Sequence, residues 1–167
     1  MVNKRKKSEF VEHINVNRKI LHKICHIYGA DKEDRQDLLQ EMVAQLWKSY
    51  PTFSGKAKFS TWLYKVALNT ALYHVRKTRK QKLSQELMEN LYLTSQGRKN
   101  QETFEKLKIL YQAIGQLNKI DKALVWLYLE RKPYQEMAEI LGITKSNVSV
   151  KLVRAKEKLM KIYERIQ

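Results

Sequence analysis

The sequence predicts an all-α fold of two small helical domains joined by a linker. Three observations predict it. Apolar residues recur at intervals of three and four over most of the chain, and no stretch alternates as a half-buried strand would. The 167 residues include only two prolines and five glycines, so long helices are allowed and collagen-like or Pro/Gly-rich chains are excluded. The charge falls in two basic blocks around a near-neutral segment. Residues 1–80 carry net +10, residues 81–105 net −1 and residues 106–167 net +7, together the +16 of the whole chain.

The first domain is expected over residues 9–80 as three helices. The first runs from about Glu9 to Tyr28, with Gly29 placed to stop it in the left-handed conformation. The second opens at Asp31–Asp34, where carboxylates favour a helix N-terminus, and ends before Pro51, because the residue preceding proline avoids the helical region. Its apolar stripe is Leu39, Met42, Leu46 and Tyr50. A loop, Thr52 to Lys58, leads to the third helix, with Ser60 as the expected N-cap and Leu63, Val66, Thr70 and Tyr73 as the expected stripe, ending near Lys80.

Residues 81–105 are rich in Gln, Asn, Ser and Glu and read as the linker, partly helical around Leu83–Leu93. The second domain, residues 106–167, reads as four helices at about Thr103–Leu117, Asp121–Glu130, Pro133–Leu141 and Lys145–Ile166. In the last, Val148, Leu152, Ala155, Leu159, Ile162 and Ile166 form a long amphipathic stripe.

The stretch from Tyr134 to Ala155, YQEMAEILGITKSNVSVKLVRA, is the most specific signal. Met137, Ala138 and Leu141 face inward from a short helix, and Ala138 is small enough for a close crossing. Gly142 stands where a sharp turn needs positive φ. Ile143 fills the corner, Thr144 caps the next helix, and Val148 and Leu152 pack that helix back. These are the requirements of a helix-turn-helix, whose second helix enters the major groove. Its outward residues are Lys145, Ser146, Asn147, Ser149, Lys151 and Arg154; Lys and Arg suit phosphate or guanine, and Asn suits adenine.

The first domain adds two faces. Asp37, Gln40, Glu41, Ala44 and Trp47 share one side of the second helix, a polar face with a tryptophan that fits a protein partner. The competing reading, about equally weighted, puts Trp47 in the core. On the third helix Phe59, Trp62, Tyr64, Asn69, Tyr73 and His74 interleave with Lys65, Arg76, Lys77, Arg79 and Lys80. Rings among cations suit single-stranded nucleic acid, because bases stack on rings while cations hold the backbone. Periodicity alone favours the plainer reading of core rings and a solvated basic end.

Several classes are set aside. No apolar run approaches the roughly 18 residues of a membrane span. The basic stretch Met1–Lys7 is followed by no signal-peptide core, and Cys25 is a single cysteine, so the expected location is the cytoplasm. No Gly-rich phosphate loop or apolar carboxylate pair is present, so no catalytic residue, cofactor or enzymatic activity is expected. His22, Cys25 and His26 lack an evident fourth ligand for zinc and read as an ordinary helix face. The basic excess calls for a polyanion, nucleic acid before a membrane surface.

The ordered motifs DLLQEMVAQLW, FSGKAKFSTWLYKVALNTALYHVRK and LNKIDKALVWLYLERKPYQEMAEILGITKSNVSVKLVRAKEKL resemble a bacterial RNA polymerase sigma factor. The resemblance is to the extracytoplasmic-function (group IV) type, which keeps the second and fourth conserved regions, and it covers residues 9–167. It implies a transcription initiation factor whose partners are core RNA polymerase, through the β′ clamp helices and the β flap, and promoter DNA, duplex and single-stranded. Asp37, Gln40, Glu41 and Trp47 match the family's clamp-helix surface. The loop Ser54, Gly55, Lys56, Ala57 and Lys58 matches the one that captures a flipped base of the −10 element. Phe59, Trp62 and Asn69 match the strand-separating helix, and Arg76 and Lys77 its backbone-contacting end. Lys145 to Arg154 matches the helix that reads the −35 element.

The linker, if extended, reaches roughly 80 Å, comparable to about 85 Å of B-DNA between the two elements at ~3.4 Å per base pair. Tyr73 departs from a small polar or acidic residue common in the family, and Ser149 from a lysine. Members are often held inactive by an anti-sigma factor, which makes such a protein a candidate partner. The alternative is a stand-alone helix-turn-helix regulator of duplex DNA, which would account for residues 106–167 and leave the first domain unexplained.

Overall fold

The computed structural model describes residues 2–78 and 101–167, with side chains over 6–76 and 105–167. Every regular element among them is helical. The chain divides into two compact units, residues 1–80 and 81–167. The expected linker helix around Leu83–Leu93, and most of the expected linker, lie outside the described residues.

The first unit contains α1 (Val2–Tyr28), α2 (Lys32–Ser49), a 3₁₀ turn (Tyr50–Thr52) and α3 (Phe59–Thr78), each helix packed on the other two. Helix α1 starts well before Glu9. It ends at Gly29, which takes no left-handed φ, contrary to the expected stop. Glycine is needed there for space. A Cβ would lie 2.8 Å from the Cys25 carbonyl oxygen and collide with the Arg35 side chain.

Helix α2 opens on a reciprocal cap. The Asp31 carboxylate accepts the Asp34 N–H at 2.9 Å, and the Asp34 carboxylate accepts the Ala30 N–H at 2.8 Å. The fully buried stripe is Leu38, Met42 and Leu46, so Leu38 replaces the expected Leu39, which is half-buried.

Helix α3 begins at Phe59. The Lys58 carbonyl accepts the N–H groups of Thr61 and Trp62, so Lys58 holds the cap position and Ser60 already lies inside the helix. The buried stripe is Leu63, Tyr64, Ala67, Leu68, Ala71 and Val75. Val66 and Thr70 are half-buried and Tyr73 is 66% exposed, so the expected stripe is corrected. Two alanines, Ala67 and Ala71, lie in the true stripe, and α3 packs on both α1 and α2.

The second unit contains α4 (Gln101–Gln116), α5 (Lys119–Leu129), α6 (Tyr134–Leu141) and α7 (Lys145–Ile166). Helix α4 begins two residues before the expected Thr103. Asn118 caps α5 by accepting the N–H groups of Ile120 and Asp121. Helix α7 packs on α4, α5 and α6. Ile114, Leu117, Val125 and Ala155 form a core joined by Leu110, Tyr111, Leu159 and Ile162. Helix α5 ends with Arg131 at φ 56, its N–H donating to Tyr128 and that of Lys132 to Leu127. That is a Schellman end with arginine in glycine's usual place.

Candidate nucleic-acid and partner interfaces

The helix-turn-helix is built as its residues require. Met137 and Ala138 are buried, with Ile140 rather than Leu141 as the third inward side chain; Leu141 is half-buried. Gly142 has φ 67, and the Ile143 N–H closes the turn on the Ala138 carbonyl at 3.1 Å. Thr144 caps α7, its hydroxyl accepting the Asn147 N–H at 3.2 Å. Val148, Leu152 and Ala155 are buried, which turns the rest of the helix outward.

Lys145, Ser146, Asn147, Ser149, Lys151 and Arg154 are all exposed. At 3.6 residues per turn they wrap more than half the circumference of α7. Val150 and Val153 stand among them, 51% and 55% exposed. The sequence reading missed these two; their apolar character amid cations was the available signal, and such groups suit thymine methyls in a major groove.

In the first unit Trp62, Asn69 and Arg76 stand at intervals of seven along α3, two turns apart and thus on one face. Asn69 and Arg76 are exposed and Trp62 half-buried. Tyr73 adds an exposed ring to the same side. Lys77 lies in α3, but its side chain falls outside the description, and Arg79 and Lys80 fall outside it altogether. Tyr64 and His74, grouped with the surface rings in the sequence, are buried and belong to the core.

The loop Ser54, Gly55, Lys56, Ala57 and Lys58 is exposed throughout, with Gly55 at φ 73. It is anchored at both ends by rings. Phe53 lies 5.4 Å from Phe59 and 5.4 Å from Trp62, and Phe59 lies 5.3 Å from Trp62. An apolar aromatic floor thus sits beside an exposed polar loop and a helix face carrying Asn69 and Arg76, a combination that suits an unstacked base.

Asp37, Gln40, Ala44 and Trp47 line the exposed side of α2, with Glu41 half-buried at its margin. Trp47 is 41% exposed, and its inner edge packs on Phe10 at a centroid distance of 5.0 Å. It is therefore neither core nor free surface. A cavity of about 430 Å³ opens beside it, lined by Lys6, Glu9, Trp47, Lys48, Tyr50, Pro51 and Phe53.

Glu41 also reaches inward, a role that its spacing along α2 does not reveal. The His74 ring bonds Asp34 through Nε2 at 2.9 Å and Glu41 through Nδ1 at 3.0 Å. Ionised carboxylates only accept, so with Asp34 and Glu41 ionised both ring nitrogens donate, and the arrangement favours the imidazolium. Burial pushes the His74 pKa down; the hydrogen bonds and charges of Asp34 and Glu41 push it up further, and the net shift is upward.

Burial raises the Cys25 thiol to about 12, which keeps it protonated and unreactive. Among the described residues no three His, Cys, Asp or Glu side chains gather to hold a metal, and no helix is long and apolar enough to cross a membrane.

Comparison with known proteins places both units. The family "Sigma-70 region 2" matches residues 13–81, and "Sigma-70, region 4" matches residues 107–159. The ECF RNA polymerase sigma factor SigG of Mycobacterium tuberculosis is 34% identical over 67 residues, covering 40% of this chain and 18% of that protein. The chain thus spans less than a fifth of that relative. The RNA polymerase sigma factor SigV of Bacillus subtilis is 27% identical over 157 residues, covering 93% of this chain and 91% of that protein. In fold the chain is similar to CnrH, solved in complex with the cytosolic domain of CnrY, at TM-score 0.67 and 17% identity, covering 96% of this chain and 91% of that one. It is equally similar, at TM-score 0.67 and 14% identity, to the sigma factor RpoE of Bartonella quintana in complex with the anti-sigma factor NepR, covering 93% and 97%.

Proposed function

The chain belongs to the sigma-70 family of RNA polymerase sigma factors, of the extracytoplasmic-function type, and we propose that it acts as a transcription initiation factor with one DNA-facing surface on each unit. It binds core RNA polymerase through Asp37, Gln40, Glu41 and Trp47 on α2. It opens the −10 element with the Ser54–Lys58 loop, Phe59, Trp62 and Asn69, while Arg76 and Lys77 hold the backbone. It reads the −35 element with Lys145, Ser146, Asn147, Ser149, Lys151 and Arg154. Residues 9–80 and 106–167 are the two working domains, joined by 81–105.

The observation that carries this reading is the order of the two family matches, each falling on a unit whose exposed face has the chemistry its task needs. Melting needs rings to compensate an unstacked base, a matter of a few kcal/mol, and the Phe53–Phe59–Trp62 cluster supplies them. Groove reading needs exposed donors on a capped, rigid helix, and α7 supplies them. An anti-sigma factor, seen with the RpoE of Bartonella quintana, is a partner we extend to this chain on the strength of the shared fold.

The test is to mix the purified full chain with bacterial core polymerase, measure co-elution, and map transcript starts on genomic DNA. Co-elution with promoter-dependent transcript is expected. Trp47→Ala should weaken co-elution, Trp62→Ala should lower opening, and Arg154→Ala should weaken −35 binding. Tight duplex binding with no affinity for core polymerase would replace this reading by a stand-alone regulator.

A further inference from the structure

We propose that Tyr50 and His13 are positioning residues for promoter opening, holding Phe59 and Trp62 in the orientation that accepts unpaired bases. The inference rests on the reading of Phe59 and Trp62 given above. Tyr50 and Phe59 each meet four rings of the first unit's aromatic cluster, and Tyr50 links it to α1 through Phe10 and His13. The Tyr50 centroid lies 5.1 Å from Phe10, 6.1 Å from His13, 6.4 Å from Phe59 and 6.3 Å from Trp62. His13, on α1, lies 4.6 Å from Phe59, and its Nδ1 is 3.3 Å from the Tyr50 hydroxyl.

Phe59 is the first residue of α3 and follows an exposed loop, so its own helix gives it little support. The rings that flank it come from elsewhere: His13 from α1, Tyr50 and Phe53 from the segment after α2. Rings that must stack on a base in the opened duplex work best when already held with one face free, because fixing them during opening would cost conformational entropy. Tyr50 and His13 provide that hold from outside α3. Through buried Phe10 the same cluster reaches Trp47, on the face assigned to polymerase.

The test uses the full chain with core polymerase and a promoter mapped in the transcription experiment above, carrying 2-aminopurine in its −10 element. Tyr50→Leu keeps apolar volume and removes the ring; Tyr50→Phe keeps the ring. His13→Ala and His13→Phe make the same contrast on a half-buried side chain that folding tolerates more readily. Each aromatic pair lost weakens the cluster, and the summed effect expected for Tyr50→Leu is about a tenfold drop in opening of duplex promoter. Core affinity is measured alongside, because Tyr50 and Trp47 share the partner Phe10, and the loss of opening should exceed any loss of core binding. Activity should return on a pre-melted template, and Tyr50→Phe and His13→Phe should resemble the unmodified chain.

Unchanged opening by both Tyr50→Leu and His13→Ala, equal loss by the ring-keeping variants, or no rescue by pre-melted DNA would each overturn the inference. Phe59→Ala and Trp62→Ala separate the two levels. If they open promoter normally, the reading of α3 fails and this inference falls with it. If they fail while Tyr50→Leu and His13→Ala open normally, only the positioning role is lost.

Discussion

Replacing His74 by Phe should destabilise the first unit strongly, and nearly all of the loss should trace to Asp34. The substitution keeps a flat ring of similar size and removes both donors. The Asp34 and His74 side chains are 5% and 4% exposed, so their 2.9 Å contact is a buried ion pair. Breaking such a pair by removing one partner typically costs about 3–5 kcal/mol, because the other charge stays buried and loses that compensation. Asp34 keeps its bond from the Ala30 N–H, which places the expected loss near the lower end, about 3 kcal/mol. The Glu41 side chain is 41% exposed and regains water when its partner leaves, so its share should be under about 1 kcal/mol.

The pH dependence has a definite sign. The folded His74 pKa lies above its unfolded value of 6.5. The stabilisation is therefore fully present below about pH 6.5 and is lost as pH rises through the folded value. Amide hydrogen exchange of α2 and α3 peptides, followed from pH 6 to 9, reports the first unit without averaging over the second. His74→Phe should speed exchange throughout and flatten its pH dependence after correction for intrinsic rates. The reasoning is refuted if Glu41→Gln costs as much as Asp34→Asn, or if the unmodified unit gains stability above pH 7.

Three further outcomes follow from single positions. Arg131→Gly should stabilise the second unit by about 1 kcal/mol, since a non-glycine residue at φ 56 carries about that penalty, and its melting temperature should rise by about 4–8 °C; a fall would show that the arginine side chain outweighs the strain. Gly29→Ala should cost about 1–3 kcal/mol in urea unfolding followed by Trp47 and Trp62 fluorescence, because the added methyl meets Arg35 and the Cys25 carbonyl. Cys25 should resist iodoacetamide in the folded chain at pH 8 and react on unfolding, since burial raises its pKa to about 12; mass spectrometry distinguishes the two.

Much of the fold was legible because helix periodicity is a strong local signal. The phase of the stripes was less so. Leu38 and Leu39 both lie at helical spacing from Met42 and Leu46, and only packing against α1 and α3 selects Leu38. In α3 the contact positions are held partly by Ala67 and Ala71, which carry little hydrophobic weight, so Val66 and Tyr73 drew the expected stripe to the wrong side. Ser60 matched a cap by residue type, but the cap lies two residues earlier, at Lys58, for which the side chains gave no cue. Arg131 was invisible for the converse reason: nothing in its chemistry marks a left-handed helix end.

The two surfaces proposed to face DNA differ in how far the sequence could reveal them. Every determinant of the helix-turn-helix acts within a few residues. Gly142 turns the backbone at its own φ, Thr144 caps a nitrogen three residues on, and Ala138 receives the Ile143 N–H five residues away. The turn is therefore written in one continuous string, and six exposed residues of α7 could be named before any coordinates. The first unit assembles its surface from contacts that cross the chain. His13 meets Tyr50 across 37 residues, and Asp34 meets His74 across 40. Composition and spacing identify Phe59 and Trp62 as rings among cations but do not separate them from Tyr64 and His74, which share the same helix and are buried; only the family resemblance drew that line. What decides is which side of α3 receives α1 and α2. That choice turns Asn69, Tyr73 and Arg76 outward and holds Phe59 and Trp62 at the edge, where a ring can be both anchored and available.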